Sequence, residues 1–345
     1  MTNILIIYTG GTIGMINDPK TGALKPFNFS HITSNVPELK RLNYNFSVHS
    51  FNPTIDSSNV TPEIWIELAV IIEDNYQKYD GFVILHGSDT MAYSASALSF
   101  ALENLSKPVV FTGAQLPIGE LRTDAKENLL TALEIAAAKN ENGLPMVPEV
   151  CIYFDYMLYR GNRSTKFDSE KFQAFTSTNY HSLAEAGIRL KYNEKYILPY
   201  PEKPLKVYKY FDTAVGSIKL FPGMDPRFVS GMLNTPGLRA VVMEAFGSGN
   251  ASTNPEFLNV LREAINKGII ILDISQCLGG TVELGHYETS DELSSMGVLN
   301  GYDMTFEAAI TKLMFVLAQN KPIDELKKML SISLRGELTK LNGQA

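Results

Sequence analysis

The chain has few cysteines, little positive charge and no long hydrophobic run, and each shortage excludes a class of protein. Its two cysteines, Cys151 and Cys277, lie in or beside apolar stretches and lack the paired spacing of a disulfide framework or a zinc site. We expect both to be buried, reduced thiols. An apolar run of about 18 residues is missing, so no membrane span is expected.

The charge balance is acidic. The sequence has 30 Lys and Arg against 37 Asp and Glu, which gives a formal net charge of −7. Binding to nucleic acid needs clustered basic residues, so we expect no nucleic-acid partner. The N-terminal stretch 1–8 has the pattern of a first strand rather than of a signal peptide, and a cytoplasmic location is the expectation.

Apolar, β-branched runs alternate with helix-like stretches in two parts of the chain. In the first part the strand candidates are 3–8, 81–85, 108–112 and 149–154, and the helix candidates are 62–79, 91–105 and 122–139. In the second part the strand candidates are 217–221, 239–244 and 269–274, and the helix candidates are 225–234, 255–267, 304–319 and 322–331. Such alternation predicts βαβ units and parallel sheets.

The segment 188–212 interrupts this rhythm. It is rich in Pro, Tyr and Lys and has no long period, so we interpret it as an interdomain linker. The sequence therefore predicts an α/β protein of two domains. A larger, doubly wound, flavodoxin-like domain covers 1–187, and a smaller C-terminal α/β domain covers 213–345.

Two short loops carry most of the functional information. The motif TGGTIG, at 9–14, follows the first strand, and the motif HGSDT, at 86–90, follows the strand 81–85. Ligands of open α/β sheets bind at the carboxyl ends of the strands. Hydroxyls occur in both loops and an acid in the second, which indicates a hydroxyl nucleophile rather than a phosphate cradle. A third loop, TGAQLP at 112–117, can converge on the same crevice.

Each candidate residue also has a purely structural interpretation. Thr9 and Thr12 are turn formers that can hydrogen-bond their own backbone. Asp89 fits an ordinary cap for the helix that begins at Met91. Lys166 fits a solvated basic face, or a lysine beside Asp89 that relays protons. A threonine hydroxyl is a poor nucleophile unless a neighbour accepts its proton.

Taken together, the first two loops resemble the bacterial-type L-asparaginase family, in particular its cytoplasmic type I branch. The resemblance extends over nearly the whole chain. Supporting stretches are DSS at 56–58, TGAQ at 112–115, RGNR at 160–163, GSGN at 247–250 and DMT at 303–305. It implies hydrolysis of L-asparagine to L-aspartate and ammonia through a threonine acyl-enzyme, with no metal and no cofactor.

The resemblance also implies a role for individual positions. Thr12 matches the nucleophile, and its oxyanion would be held in part by the Ser88 amide. The family's second catalytic trio is matched by Ser88, Asp89 and Lys166. The positions that match substrate-binding residues are Asp56, Ser57, Gly87, Ala114 and Asn250. The family is tetrameric, a dimer of close dimers, and Asn250 matches a residue that reaches the site from a neighbouring subunit.

The chain departs from the family pattern in ways that affect the site. Ser88 stands where Thr is usual, which keeps the hydroxyl but loses the β-branch that fixes χ1. The stretch 17–24 lacks the tyrosine that many members place beside the nucleophile. Tyr287, in GHYE at 285–288, is the candidate phenol instead, although it also fits a packed or surface side chain.

A second, allosteric site is the third point of departure. Some type I enzymes bind asparagine there, and Thr165 and Cys277 match its residues. Glu244 stands where those enzymes carry a basic residue, and an acid would repel the carboxylate of a ligand. We therefore expect no allosteric activation.

Other functions share these loops or this fold. A glutaminase–asparaginase of mixed specificity catalyses the same reaction on both amides. The tRNA-dependent glutamyl amidotransferase subunit must approach acidic RNA, which an acidic chain disfavours. A non-enzymatic amino-acid-binding module would be expected to lose Thr12, Asp89 or Lys166. The expected partners are thus L-asparagine and other copies of the chain, as a dimer or a dimer of dimers.

Overall fold

The computed structural model of the chain describes residues 1–17, 24–26, 36–285 and 288–339. They form two compact units, Met1–Lys209 and Tyr210–Ala345. The first contains a large sheet dominated by parallel strands, and the second contains a smaller parallel sheet of its own. The predicted α/β class, with a larger N-terminal and a smaller C-terminal part, is confirmed.

The first unit is built from strands and helices in alternation. Its described strands are β1 (Thr2–Tyr8), β2 (Met15–Asn17), β3 (Leu24–Pro26), β4 (Tyr44–Ser50), β5 (Gly81–Leu85), β6 (Leu102–Glu103), β7 (Val109–Thr112), β8 (Val150–Phe154), β9 (Met157–Arg160), β10 (Thr165–Lys166), β11 (Phe175–Thr176), β12 (Ala184–Ala186), β13 (Leu190–Tyr192) and β14 (Lys206–Val207). Its described α-helices are α1 (Pro62–Asn75), α2 (Met91–Ala101) and α3 (Ala125–Ala137).

The large sheet has the strand order β13-β12-β9-β8-β7-β5-β1-β4. The five strands from β8 to β4 are mutually parallel, and β9, β12 and β13 continue the sheet in antiparallel pairs. When these five strands are numbered along the chain, their spatial order across the sheet is 2-1-3-4-5, which is the flavodoxin-like arrangement. Every residue of β5, β7 and β8 is buried, as a parallel sheet covered on both faces requires.

Helices cover both faces of this sheet. Along β5 the side chains alternate, so Val83 and Leu85 join the core that contains Leu129 of α3. Phe82 points to the opposite face and stacks on Tyr76, just beyond α1, with ring centroids 6.2 Å apart. This alternation of buried side chains holds the loops after β1 and β5 on a rigid platform.

In the large sheet, the strands that the sequence did not predict are β4 at one edge and β9, β12 and β13 toward the other. In β4, half-buried and exposed residues alternate, because an edge strand keeps one face toward solvent. β12 and β13 have only three residues each, too few to show a period.

The segment 188–212 is not a simple linker, which corrects the sequence prediction. Its strand β13 pairs with β12, and its strand β14 pairs with β6. Glu149 forms a buried ion pair with Arg160 at 2.6 Å and accepts a hydrogen bond from the Leu198 amide at 2.8 Å. The first unit therefore extends to Lys209, and the predicted boundary at 187 is too early. Composition signalled a break in the period, but it does not reveal backbone pairing.

The second unit has a four-stranded parallel sheet in chain order. Its described elements are β15 (Val215–Lys219), α4 (Pro226–Leu233), β16 (Ala240–Ala245), α5 (Pro255–Asn266), β17 (Ile270–Ser275), α6 (Glu288–Met296), β18 (Leu299–Asn300), α7 (Phe306–Leu317) and α8 (Ile323–Leu330). Asp225 and Asn254 cap α4 and α5 through their side chains, and a proline follows each cap at the first helical position. In the part of the chain that the structure describes, no helix is long and apolar enough to cross a membrane.

Asp273 is a buried carboxyl in β17. Its exposed fraction is 0%, and neither of its carboxyl oxygens has a hydrogen-bond partner among the described residues. Burial raises the pKa of Asp273 well above its ordinary value, because the charged form is poorly solvated there. The carboxyl is therefore protonated in the folded protein over a range where the unfolded chain has released the proton.

This difference in proton binding predicts a pH-dependent effect of Asp273→Asn. The stability due to the raised pKa is complete below the unfolded pKa of about 4 and is lost as the pH rises toward the folded pKa. Between the two values, the wild type should lose about 1.4 kcal/mol of unfolding free energy per pH unit relative to the variant. Urea unfolding of both proteins from pH 4 to 8 measures this; a constant difference would contradict it.

Candidate active site

The loops after β1 and β5 meet at the carboxyl ends of two neighbouring strands of the large sheet. β1 and β5 are neighbours, while β4 lies beyond β1 and β7 beyond β5. The strand order therefore reverses between β1 and β5, and this switch point opens a crevice at the carboxyl ends of the strands. Both motifs singled out from the sequence, at 9–14 and 86–90, lie at this crevice.

Glycines allow these loops to touch. Gly11 has a φ of +87°, and a Cβ at this position would lie 2.6 Å from the Cα of Gly87. A Cβ on Gly87 would in turn lie 2.5 Å from Ser57 Oγ, which belongs to a third loop. Only residues without side chains fit here, so Thr12 and Ser88 follow directly after two backbones in contact.

The third loop is attached by backbone hydrogen bonds. The Ile55 amide donates to the Thr9 carbonyl at 2.7 Å, and Thr90 Oγ1 donates to the Ser57 carbonyl at 2.7 Å. The role of Thr90 was missed in the sequence, where nothing but its place in HGSDT distinguishes it. Thr9 Oγ1 donates to the Leu85 carbonyl at 3.0 Å and is buried, so Thr9 ties the loop to β5. The half-buried Thr12 is thus the better-placed hydroxyl of the first motif.

Ser88, Asp89 and Lys166 are brought together from distant parts of the sequence. Lys166 Nζ donates to Ser88 Oγ at 2.8 Å and to Asp89 Oδ1 at 2.7 Å. The helix-cap interpretation of Asp89 is wrong, since neither the turn Ser88–Thr90 nor α2 has a side-chain cap. The solvated-face interpretation of Lys166 is also wrong, because its side chain is only 15% exposed.

This ion pair organises the site more than it stabilises the fold. The Asp89 side chain is 67% exposed, so solvent screens its attraction to Lys166. Such pairs contribute on the order of 1 kcal/mol or less to stability. Chemically, the contact places an ammonium group against a hydroxyl, and the ammonium can polarise that hydroxyl for proton transfer.

Asp56 and Ser57 offer groups suited to a zwitterionic ligand. Asp56 Oδ1 accepts hydrogen bonds from the Ser58 amide at 2.9 Å and from Ser58 Oγ at 2.8 Å. These bonds lower the pKa of Asp56, so the exposed carboxylate is charged at neutral pH. Ser57 is buried beside Gly87, and Ala114 is buried after β7. Among the described residues, no group of three or more His, Cys, Asp or Glu could hold a metal ion.

Two family models match most of the chain. The model described as "Asparaginase, N-terminal" matches residues 3–198, and the "Glutaminase/Asparaginase C-terminal domain" matches residues 214–330. The chain belongs to the asparaginase family. The recognition made from the two loops is therefore confirmed.

Individual asparaginases resemble the chain along its whole length. L-asparaginase 1 of Escherichia coli K12 is 42% identical over 338 residues, 98% of each chain. The crystal structure of L-asparaginase I from Vibrio cholerae is 41% identical, covers 98% of this chain and 99% of its own, and has a TM-score of 0.89. A glutamyl-tRNA(Gln) amidotransferase component of Methanopyrus kandleri is 32% identical over 98% of this chain and 75% of its own length.

Other residues assigned from the asparaginase resemblance belong to the second half of the sequence. Asn250 belongs to the second unit, where its backbone exchanges hydrogen bonds with Phe246 at 2.8 and 2.9 Å. Tyr287 lies outside the described residues. Cys277 is exposed, so the prediction of a buried thiol is wrong for it and right for Cys151.

The doubtful allosteric residues occupy ordinary structural positions. Thr165 pairs with Thr176 between β10 and β11. Glu244 forms an ion pair with Lys219 at 3.4 Å. The absence of allosteric activation stays a prediction.

The contact between Gly11 and Gly87 predicts a large effect of Gly11→Ala. Alanine at a positive φ costs about 1–2 kcal/mol by itself. The clash with Gly87 should add about 1–3 kcal/mol of overpacking strain and displace Thr12. Gly237→Ala is the matched control, since Gly237 has a φ of +84° and no atom within 4 Å of the added Cβ. Equal losses of unfolding free energy in the two variants would contradict this interpretation of the loop contact.

Proposed function

We propose that this asparaginase-family protein hydrolyses L-asparagine to L-aspartate and ammonia. The observation that carries the proposal is the contact of Lys166 with Ser88 and Asp89, on a loop packed against the loop of Thr12. Thr12 supplies the nucleophile, and the trio supplies a proton path. The names of the E. coli and V. cholerae relatives support the same substrate.

In the proposed complex, the charged ends of asparagine select its orientation. The carboxylates of Asp56 and Asp89 face the α-ammonium group, and Ser57 and the loop at Gly87 face the α-carboxylate. Ala114 lies against the side-chain amide. An acid for the ammonium and donors for the carboxylate are what recognition of a free α-amino acid requires.

The reaction proceeds in two stages. Thr12 Oγ attacks the amide carbon, the C–N bond breaks, and the proton lost by Thr12 ends on the leaving nitrogen as ammonia. The Ser88 hydroxyl, polarised by Lys166, carries protons along this route. The Ser88 amide donates to the oxyanion, a contact worth about 3 kcal/mol in comparable sites. Water then attacks the acyl ester, releases aspartate and restores the Thr12 hydroxyl.

Other parts of the proposal concern assembly, location and the missing phenol. The chain forms a homotetramer, a dimer of close dimers, in which Asn250 serves a neighbouring subunit's site. Tyr287 supplies the phenol that the stretch 17–24 lacks. The free thiols Cys151 and Cys277 fit a reducing cytoplasm. Mixed activity on glutamine is the second candidate, because the matching C-terminal model names both enzymes.

Thr12→Ala should abolish ammonia release, lowering kcat about a thousandfold or more, because no acyl ester can form. Thr9→Ala is the control, since that hydroxyl is committed to the Leu85 carbonyl. It should lose about 1 kcal/mol of stability but keep its turnover. The assay is ammonia release from L-asparagine and L-glutamine by purified protein. Comparable turnover in Thr12→Ala and the wild type would disprove the proposal.

Ser88→Thr should keep activity within about tenfold of the wild type, because the hydroxyl remains and the β-branch restricts χ1. Ser88→Ala removes the hydroxyl that Lys166 contacts and should lose about a hundredfold or more in kcat. Steady-state kinetics of the two variants distinguishes the contribution of the Ser88 hydroxyl to kcat from that of the Ser88 backbone amide, which both variants keep. Complete inactivity of Ser88→Thr would show that the proton path needs more than a hydroxyl at this position.

A further inference from the structure

A row of buried hydrogen bonds runs from α1 to the loop of Ser88. Trp65 Nε1 donates to Ser94 Oγ at 3.0 Å, and Ser94 Oγ lies 3.0 Å from His86 Nε2. His86 Nδ1 lies 2.7 Å from the Gly87 carbonyl oxygen. Trp65, Ser94 and His86 are all buried. None of them was assigned a role from the sequence, although His86 is the first residue of the motif at 86–90.

The direction of every bond in this row is fixed by its two ends. The indole of Trp65 can only donate, and the Gly87 carbonyl can only accept. Ser94 therefore accepts from Trp65 and donates its own hydrogen to His86 Nε2. The Nδ1 of His86 must then carry the ring hydrogen and donate it to Gly87. Burial lowers the pKa of His86 to about 4, so the ring is neutral at pH 7, as this single tautomer requires.

The end of the row acts on a peptide unit that borders the proposed oxyanion. The Gly87 carbonyl and the Ser88 N–H belong to the same planar peptide, and in a trans peptide these two groups point in opposite directions. Fixing the carbonyl toward His86 therefore fixes the N–H on the other side. As the first residue of a helical turn, Ser88 has an amide without an intrahelical acceptor.

We propose that Trp65, Ser94 and His86 are positioning residues that hold the Gly87–Ser88 peptide so that its N–H meets the oxyanion of the transition state. The inference rests on the proposed function and adds residues that touch neither substrate nor nucleophile. A donor held rigidly in advance needs no reorganisation when charge develops, which is why small changes in its orientation affect the rate.

The sharpest test is a pair of substitutions at His86. His86→Phe keeps a planar ring but loses the donor to Gly87, and kcat should fall at least about tenfold. His86→Asn places an amide N–H near the position of Nδ1 and should recover most of this loss. KM should stay within about twofold in both variants, because the interaction acts in the transition state.

Substitutions of Ser94 give a second test if the variants at position 86 do not fold. Ser94→Ala leaves His86 Nε2 without its donor, and kcat should fall severalfold, whereas Ser94→Thr keeps the hydroxyl and recovers the rate. Ser99→Ala is the matched control. Ser99 lies in the same helix and is also buried, but its hydroxyl donates only to the Ala95 carbonyl at 2.8 Å. This control should match the wild type in kcat and KM.

The outcomes separate the inference from the proposed function. If the wild type releases ammonia, and Ser94→Ala and His86→Phe release it with the same kcat as the wild type, the positioning role is wrong and the proposed function stands. A rise in KM at constant kcat, or equal losses in Ser94→Ala and Ser99→Ala, also overturns it. Absence of ammonia release by the wild type refutes the function itself, and the inference with it.

Discussion

The contact of two glycine backbones is the constraint on which the site depends. Gly11 and Gly87 bring the loops after two neighbouring strands closer than any side chain would permit. The hydroxyls of Thr12 and Ser88 follow immediately, so their separation is set by backbone packing rather than by flexible side chains. A sheet buried on both faces keeps the two strands in register, and the loops inherit that rigidity.

Charged side chains in the candidate site differ in burial, and therefore in their effect on stability, from charged side chains in the interior. Lys166 and Asp89 are partly solvated, so their pairing contributes little to stability and leaves both groups able to change partners. The pair Arg160–Glu149 is almost fully buried and fastens residues around 198 to the first unit. Asp273 shows the third possibility, because its carboxyl oxygens have no hydrogen-bond partner among the described residues and burial raises its pKa well above the ordinary value.

Local patterns in the sequence predicted the centre of the fold better than its edges. The runs at 81–85, 108–112 and 149–154 are apolar because both faces of those strands are buried, and this makes them visible. β4 and β13 lie at opposite ends of the sheet, where half-exposed residues resemble a loop. Pairing across such edges depends on distant backbone groups that no local period records.

The site was predictable only in part, and for a similar reason. Both loops were placed correctly, because strand ends can be read from the sequence. The contact of Lys166 with Asp89 joins residues 77 positions apart, so spacing alone left it open, and the family resemblance suggested it. His86, Ser94 and Trp65 each look like an ordinary core residue, since their significance lies in the order of donors and acceptors.

The indole at the far end of that row has a practical consequence. Trp65 is the only tryptophan of the chain, so nearly all long-wavelength ultraviolet emission of the protein originates from this one ring. Its N–H is two hydrogen bonds away from the imidazole that holds the Gly87–Ser88 peptide. The molecule thus carries a built-in optical label, without chemical modification, on the buried side of the candidate active site.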